Sequence, residues 1–175
     1  QNNVQGACDM GVLPNMFPGY QSVTDEGIRQ KFAQAWHIPV EKLDPQVGYR
    51  ITEVPHLAIE GKVKAYYIMG EDPLQTEADL GLVRKGFQAL DFIVVQDIFM
   101  TKTAEQADVI LPSTSWGEHG GIFTCADRGF QRFEQAVQAR GNVKRDWEII
   151  SLLATAMGYP MSSTDNEEIW HEVSA

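Results

Sequence analysis

Residues 62–97, KVKAYYIMGEDPLQTEADLGLVRKGFQALDFIVVQD, limit what this chain can fold into more than any other stretch, because their hydrophobic period changes twice in one short run. Residues 63–69 are an apolar run rich in aromatic and β-branched side chains, of a length that suits a strand buried on both faces. Gly70 ends it. Glu71, Asp72 and Pro73 follow as turn residues, and Thr76 with Asp79 three positions later reads as a helix start, where a hydroxyl satisfies a free backbone N–H. Apolar residues return at Leu80, Val83, Phe87 and Leu90, the 3.6-residue period of a helix lying on a sheet. After Asp91, residues 92–95 form a second buried run that ends in Gln96 and Asp97. Two parallel strands joined by a helix make a βαβ unit, so the expected class is α/β with a mostly parallel sheet flanked by helices.

In open α/β sheets ligands sit beyond the carboxyl ends of the strands, where turns and helix N-termini present free N–H groups. Residues 70–76 form one such end and Gln96–Asp97 its neighbour. A carboxylate there can accept hydrogen bonds from two ribose hydroxyls, which suits a nucleotide. The Gly-x-Gly-x-x-Gly fingerprint of ordinary dinucleotide folds is absent, and strand ends also carry Asp for turn reasons. Spacing alone therefore leaves a nucleotide site and a purely structural βαβ unit both open.

The flanking sequence fills out the domain. Residues 1–20 are rich in Asn, Gly and Pro and read as an ordered loop, the kind that often carries function. A helix is expected from Thr24, with Ile28, Phe32, Ala35 and Trp36 on one face, ending before Pro39. Residues 38–60 read as irregular, with one short helix near 53–60. Beyond the central unit, residues 101–107 allow a short helix at most, and Val109, Ile110 and Leu111 form a third short buried strand ended by Pro112. Ser113, Thr114 and Ser115 crowd that strand's carboxyl end. Residues 122–124 and 130–137 read as extended pieces around the 127–129 turn. Asp146 is the expected cap of a helix with an apolar stripe at Ile150, Leu153, Ala154 and Met157, closed by Gly158. Residues 167–173 form a last amphipathic segment.

Composition narrows the partners. A chain of 175 residues with 43% hydrophobic content suits one α/β domain or a large piece of one. Its net charge of −10 argues against nucleic acid and against an anionic membrane surface. No stretch has the length and apolarity of a membrane span, and no signal-peptide pattern is present. Cys8 and Cys125 fit a reducing compartment, so the expected location is cytoplasmic, and neither has metal-ligand spacing. The chain opens on Gln1 rather than Met and reads as a piece of something longer.

Few residues suggest chemistry by themselves. His119 lies beside Glu118 in a glycine-flanked loop, an arrangement open to proton transfer but more often a loop-ordering hydrogen bond, and no Ser or Cys nucleophile is paired with it. His37, His56 and His171 fit polar helix ends. Trp36, Trp116, Trp147 and Trp170 fall on separate elements as packing anchors. Asp72, Asp97 and Asp146 differ, since each stands at a strand end or helix start where three carboxylates can converge on one ligand.

Four segments carry a family resemblance: QNNVQGACDMG, YIMGEDPLQT, VVQDIFMTKTAEQADVILPSTSWGEHGGIFTCADRGFQ and KRDWEIISLLATAMGYP. They resemble the central part of molybdenum-dependent formate dehydrogenase catalytic subunits, within the dimethyl sulfoxide reductase family of molybdopterin oxidoreductases, over nearly the whole chain. The resemblance implies a Rossmann-like α/β domain that clasps one of two molybdopterin guanine dinucleotides (bis-MGD) of a molybdenum centre. Residues 1–23 would then be an active-site loop segment and 24–175 the guanine-dinucleotide-binding core. Asp72, Thr76, Gln96, Asp97, Ser113 and Asp146 match positions that contact the guanosine and phosphate part, and Gly70 and Glu71 line the same turn. Asp97 with Gln96 is expected at ribose, Ser113 and the 70–76 turn near phosphate, and Asp72 or Asp146 at the guanine edge, whose adjacent N1–H and amino group a carboxylate accepts together. Lys144 and Arg145 either balance cofactor charge or, on the blander and favoured reading, form a solvated basic pair.

By the same resemblance Gln1, the candidate catalytic residue, lies beside the molybdenum. No metal ligand falls in this chain, and the cysteines of a [4Fe–4S] cluster lie outside it. The implied partners are formate, the remaining domains of the same subunit and electron-transfer proteins. Formate would be oxidised to carbon dioxide at molybdenum and electrons would leave through the cluster, so the piece alone is expected to be inactive. Two other readings fit the residues: a nitrate reductase-type domain on the same scaffold, and a non-catalytic nucleotide-binding or interaction domain.

Overall fold

The computed structural model describes residues 3–161, 163 and 165–174. In chain order the helices are α1 (Val4–Asp9), α2 (Glu26–Ala35), α3 (Val54–Ile59), α4 (Pro73–Thr76), α5 (Leu80–Gln88), α6 (Asp146–Ala156) and α7 (Asn166–Ser174). The strands are β1 (Met16–Phe17), β2 (Gln21–Ser22), β3 (Ala65–Met69), β4 (Phe92–Asp97), β5 (Val109–Pro112), β6 (Gly121–Thr124) and β7 (Phe130–Phe133). Two compact units result, Gln1–Ile51 with Ile122–Arg132 and Thr52–Gly121 with Phe133–Ala175.

The first unit replaces the loop expected over residues 1–20 with a short helix and a small hairpin. Asn3 caps α1 by accepting the Gly6 N–H at 3.1 Å, and β1 pairs antiparallel with β2. The connection between them needs Gly11, at φ +80°, because a Cβ there would meet the Pro18 nitrogen at 2.5 Å. Asp25 rather than Thr24 starts α2, accepting the Ile28 N–H at 3.0 Å. Phe17, Phe32 and Trp36 pack together with ring centroids 4.7 to 5.8 Å apart. That cluster is this unit's apolar centre. The Asp9 carboxylate, buried, pairs with Arg128 Nη2 at 2.9 Å and ties two distant stretches of sequence together.

The second unit contains the βαβ pattern. Strands β3, β4 and β5 form one parallel sheet in that order, with Tyr66 opposite Ile93 and Val95 opposite Ile110. Alternation along each strand sends Tyr66, Ile68, Ile93 and Val95 to one face, where Leu74, Val83, Phe87 and Ala104 complete a buried core. The opposite face carries Tyr67, Met69 and Phe92, all exposed. β3 is therefore covered on one side only, which corrects the expectation of strands buried on both faces, whereas β4 also buries Gln96 on the second face. β5 is likewise an exposed edge, with Val109 and Ile110 open to solvent.

Helix α5 starts one turn later than Thr76 suggested. Residues 73–76 close a turn of their own, and Asp79 is the cap, accepting the Leu82 N–H at 2.9 Å. α6 also differs from expectation, because Arg145 is the capping residue and Asp146 the first helical one. The reciprocal bond comes from Glu148, which accepts the Arg145 N–H at 2.8 Å, and this leaves the Asp146 side chain to another partner. The stripe at Ile150, Leu153 and Met157 lies outward, and Ile149 and Ser151 are the buried positions of this helix.

Candidate functional site

The carboxyl ends of the three parallel strands finish level with one another. Met69 stands opposite Gln96 and Asp97 opposite Pro112. Past the strands the ladder continues: the Gly70 N–H donates to the Gln96 carbonyl at 2.9 Å, and the Ser113 N–H to that of Asp97 at 3.2 Å. Lys144 then runs beside Ser113 as a parallel bridge, and the Thr114 N–H reaches its carbonyl at 3.0 Å. This backbone contact delivers Asp146 to the same edge. Gly70, Glu71, Asp72, Gln96, Asp97, Ser113 and Asp146 thus lie on segments that meet along one rim within the second unit.

Their side chains have distinct partners. Asp72 Oδ1 accepts both the Thr103 hydroxyl at 2.6 Å and the Thr103 N–H at 3.0 Å. Thr103, fully buried, in turn accepts the Leu74 N–H at 3.1 Å, so Asp72 anchors the 101–104 segment against α4. Thr76 donates its hydroxyl to the Asp72 carbonyl at 3.1 Å and is exposed. Asp97 is half-buried and accepts the Phe99 N–H at 2.9 Å. Ser113 is buried. Gly70 turns at φ +66° with open space where a side chain would stand. Gln1 lies outside the described residues.

Gln96 behaves differently from its neighbour. It points to the sheet face opposite Asp97 and is fully buried, where its carbonyl oxygen accepts the Tyr67 hydroxyl and its amide donates to Asp146 Oδ1 at 2.6 Å. Burial, and then the charge of Asp146, hold the Tyr67 phenol above its ordinary range. Asp146 Oδ2 takes no donor among the described residues.

Counting lone pairs separates the carboxylates. Each oxygen accepts about two hydrogen bonds, so Asp72, with Oδ1 filled by Thr103, offers a ligand only one oxygen. Asp146 keeps Oδ2 whole and half of Oδ1, enough to receive two adjacent donors side by side. Donor-rich ligands suit such a rim, while an anion must rely on backbone N–H groups and on Lys144 and Arg145.

His119 lies outside this arrangement. Its Nδ1 is 2.9 Å from the Thr114 hydroxyl and its ring meets Phe133 edge-on, while Glu118 accepts the Ser115 N–H and hydroxyl at 2.8 and 2.9 Å. Those Ser115 bonds hold the Glu118 carboxyl below the usual range. Both residues order their loop. A separate cleft of about 350 Å³, lined by residues including Leu74, Arg84, Phe87 and Lys102, takes in none of the rim residues. Among the described residues there is no cluster of His, Cys, Asp and Glu suited to a metal, and no helix long and apolar enough to cross a membrane.

Comparison with known proteins decides the lineage. Residues 2–156 match the family model described as molybdopterin oxidoreductase. The chain belongs to that family. It is 63% identical over 173 residues to formate dehydrogenase H of Escherichia coli, covering 99% of this chain and 24% of that protein. It is 44% identical to the F420-dependent formate dehydrogenase 1 subunit alpha of Methanococcus maripaludis, covering 99% of the chain and 25% of the relative. The chain therefore spans about a quarter of the length of these curated relatives. Acetylene hydratase from Pelobacter acetylenicus shares the fold, with TM-score 0.51 and 24% identity over 83% of this chain and 17% of that one.

Within this molybdopterin oxidoreductase domain, sequence reasoning missed Tyr67 and Thr103. Tyr67 was within reach, because parallel pairing of residues 65–69 with 92–96 puts Tyr67 and Gln96 on one face two positions apart. Thr103 gave no signal, as its partner lies 31 residues back along the chain.

Proposed function

We propose that this chain clasps the guanosine end of a molybdopterin guanine dinucleotide in a formate dehydrogenase. The observation that carries the reading is the meeting of three strand ends and the 144–146 segment along one rim, with an Asp146 carboxylate that retains acceptors for two neighbouring donors. Guanine presents N1–H and its 2-amino group side by side, and ribose presents two hydroxyls, so both halves of guanosine match an acceptor-rich edge. Asp146 receives the base and Asp97 the ribose, with Gln96 behind Asp146. Asp72 fixes the 101–104 segment and offers its second oxygen, while Gly70, Glu71, Thr76 and Ser113 shape the phosphate approach beside Lys144 and Arg145. Gln1 is assigned to the molybdenum side of the cofactor.

When bound, the molybdenum centre supplies the two-electron oxidation of formate to carbon dioxide, with electrons leaving through a [4Fe–4S] cluster held elsewhere in the polypeptide. The work of the residues described here is binding and orientation. Similarity to formate dehydrogenases across nearly the full chain supports the substrate. The exposed apolar side chains Tyr67, Met69, Phe92, Leu153 and Met157 support packing by other domains of the same subunit, and electron-transfer proteins complete the partners. The free cysteines Cys8 and Cys125 fit a cytoplasmic location.

Calorimetric titration of cofactor-free protein with GDP, ADP and CDP tests the reading. GDP is expected to bind at least about tenfold more tightly than ADP, and Asp146→Asn to lose about that factor, the scale of a charge-assisted pair. Equal affinities for GDP and ADP would overturn it. The 175-residue chain alone is expected to show no formate-dependent dye reduction.

A further inference from the structure

We infer that Tyr67 is a positioning residue for base recognition, acting through Gln96 to hold the Asp146 carboxylate in the orientation that reads guanine. The inference rests on the nucleotide reading above and goes beyond it, because Tyr67 is not assigned any contact with the ligand.

The chain of bonds has one possible polarity. A carboxylate only accepts, so Gln96 must turn its amide nitrogen toward Asp146, as the 2.6 Å contact shows. That leaves the Gln96 oxygen facing Tyr67, and an amide oxygen also only accepts, so the phenol must donate. Reversing the Gln96 amide would set its oxygen against the Asp146 carboxylate, two acceptors face to face at a side chain that is itself fully buried. Tyr67 keeps the proton this requires, since burial and the Asp146 charge both favour the neutral phenol.

The location of each member shows what the chain controls. Tyr67 sits in the middle of β3, two residues before Met69, which pairs with Gln96, so it stands below the rim. Gln96 is fully buried. Only Asp146 carries the arrangement outward, with Oδ1 held and Oδ2 presented. Loss of the Tyr67 hydroxyl leaves the Gln96 oxygen without its donor, and the amide is then held in place only from the Asp146 side. Asp146 loses a fixed partner, and its plane no longer stays aligned with two adjacent donors.

The test compares GDP with IDP, which lacks the 2-amino group, by calorimetry on cofactor-free protein. Tyr67→Phe keeps the ring and is expected to weaken GDP about 5- to 10-fold while IDP changes less than about twofold, with the unliganded protein still unfolding cooperatively. In an Asp146→Asn background the same substitution is expected to add nothing. Equal weakening of GDP and IDP, or GDP affinity within twofold of wild type in Tyr67→Phe while Asp146→Asn still loses GDP, would overturn the inference and leave the nucleotide reading intact. If wild type does not distinguish GDP from IDP and ADP, or Asp146→Asn binds GDP as wild type does, the nucleotide reading fails and this inference fails with it.

Discussion

The Asp72 carboxylate and Thr103 are joined by two hydrogen bonds to a single oxygen, at 2.6 Å from the hydroxyl and 3.0 Å from the N–H. The pair closes the turn after β3 onto the segment after β4, and so shapes the rim from behind. Thr103→Val keeps volume but removes the hydroxyl, and it also strips the Leu74 N–H of its acceptor. The expected loss is about 2 kcal/mol, one charge-assisted hydrogen bond plus part of a buried amide's desolvation. Urea denaturation measures it, and a loss under about 0.5 kcal/mol would mean that the bond pair does not order this segment.

Gly86→Ala should destabilise the protein even though alanine is the better helix former by about 1 kcal/mol. A Cβ on Gly86 would stand 2.6 Å from Pro55 Cα and 2.8 Å from its Cβ, backbone and ring atoms that cannot swing aside. Overpacking of this kind costs about 1–3 kcal/mol, so a net loss of about 1 kcal/mol is expected at the contact between α3 and α5. A rise in the urea midpoint would show that the two helices are not packed this closely.

Legibility in the sequence followed the range of the forces involved. β3, α5 and β4 were readable because Val83, Phe87, Ile93 and Val95 repeat with the period of their own element, and burial obeys that period. The open second face of β3 was not, because the run AYYIM has the apolarity of a strand covered twice while Tyr67 and Met69 are in fact open. The Thr76 cap failed for a local reason: Pro73 starts a separate turn, and Asp79, carrying the stronger capping acceptor, takes over three residues later. At the rim, chain order sufficed to set Gly70, Asp97 and Ser113 on neighbouring strand ends. The division of labour among Asp72, Gln96 and Asp146 depended on Tyr67, which strand alternation places on the face of Gln96, and on Thr103, a contact 31 residues apart that no periodicity encodes.

Arg128 offers a comparison between two variants. Its guanidinium pairs with buried Asp9 and lies 5.1 Å from the Tyr20 ring centroid, while its backbone sits at φ +66°, a region that favours glycine. Arg128→Ala loses the pair and keeps the strain, whereas Arg128→Gly loses the pair and relieves it. The glycine variant is therefore expected to be more stable than the alanine variant by about 1 kcal/mol, with both below wild type. Equal midpoints for the two would remove the backbone contribution.

Tyrosine ionisation should weaken the fold at alkaline pH. Burial first, then the charges of Glu77 and Glu71, raise the Tyr66 phenol above its ordinary value of 10.0, and burial followed by Asp146 raises Tyr67. A phenol whose folded value exceeds its unfolded one contributes stability that is fully present below about pH 10 and is lost as pH rises through the folded value, because the unfolded chain gives up its proton first. Stability should therefore fall as pH rises past about 10, and Tyr66→Phe, which has no proton to lose, should fall less steeply. Urea midpoints for wild type and Tyr66→Phe at about pH 9 and pH 11 make the comparison. Parallel declines would show that Tyr66 ionises alike in the folded and unfolded chains, contrary to its half-buried position against Phe87, 6.1 Å between ring centroids.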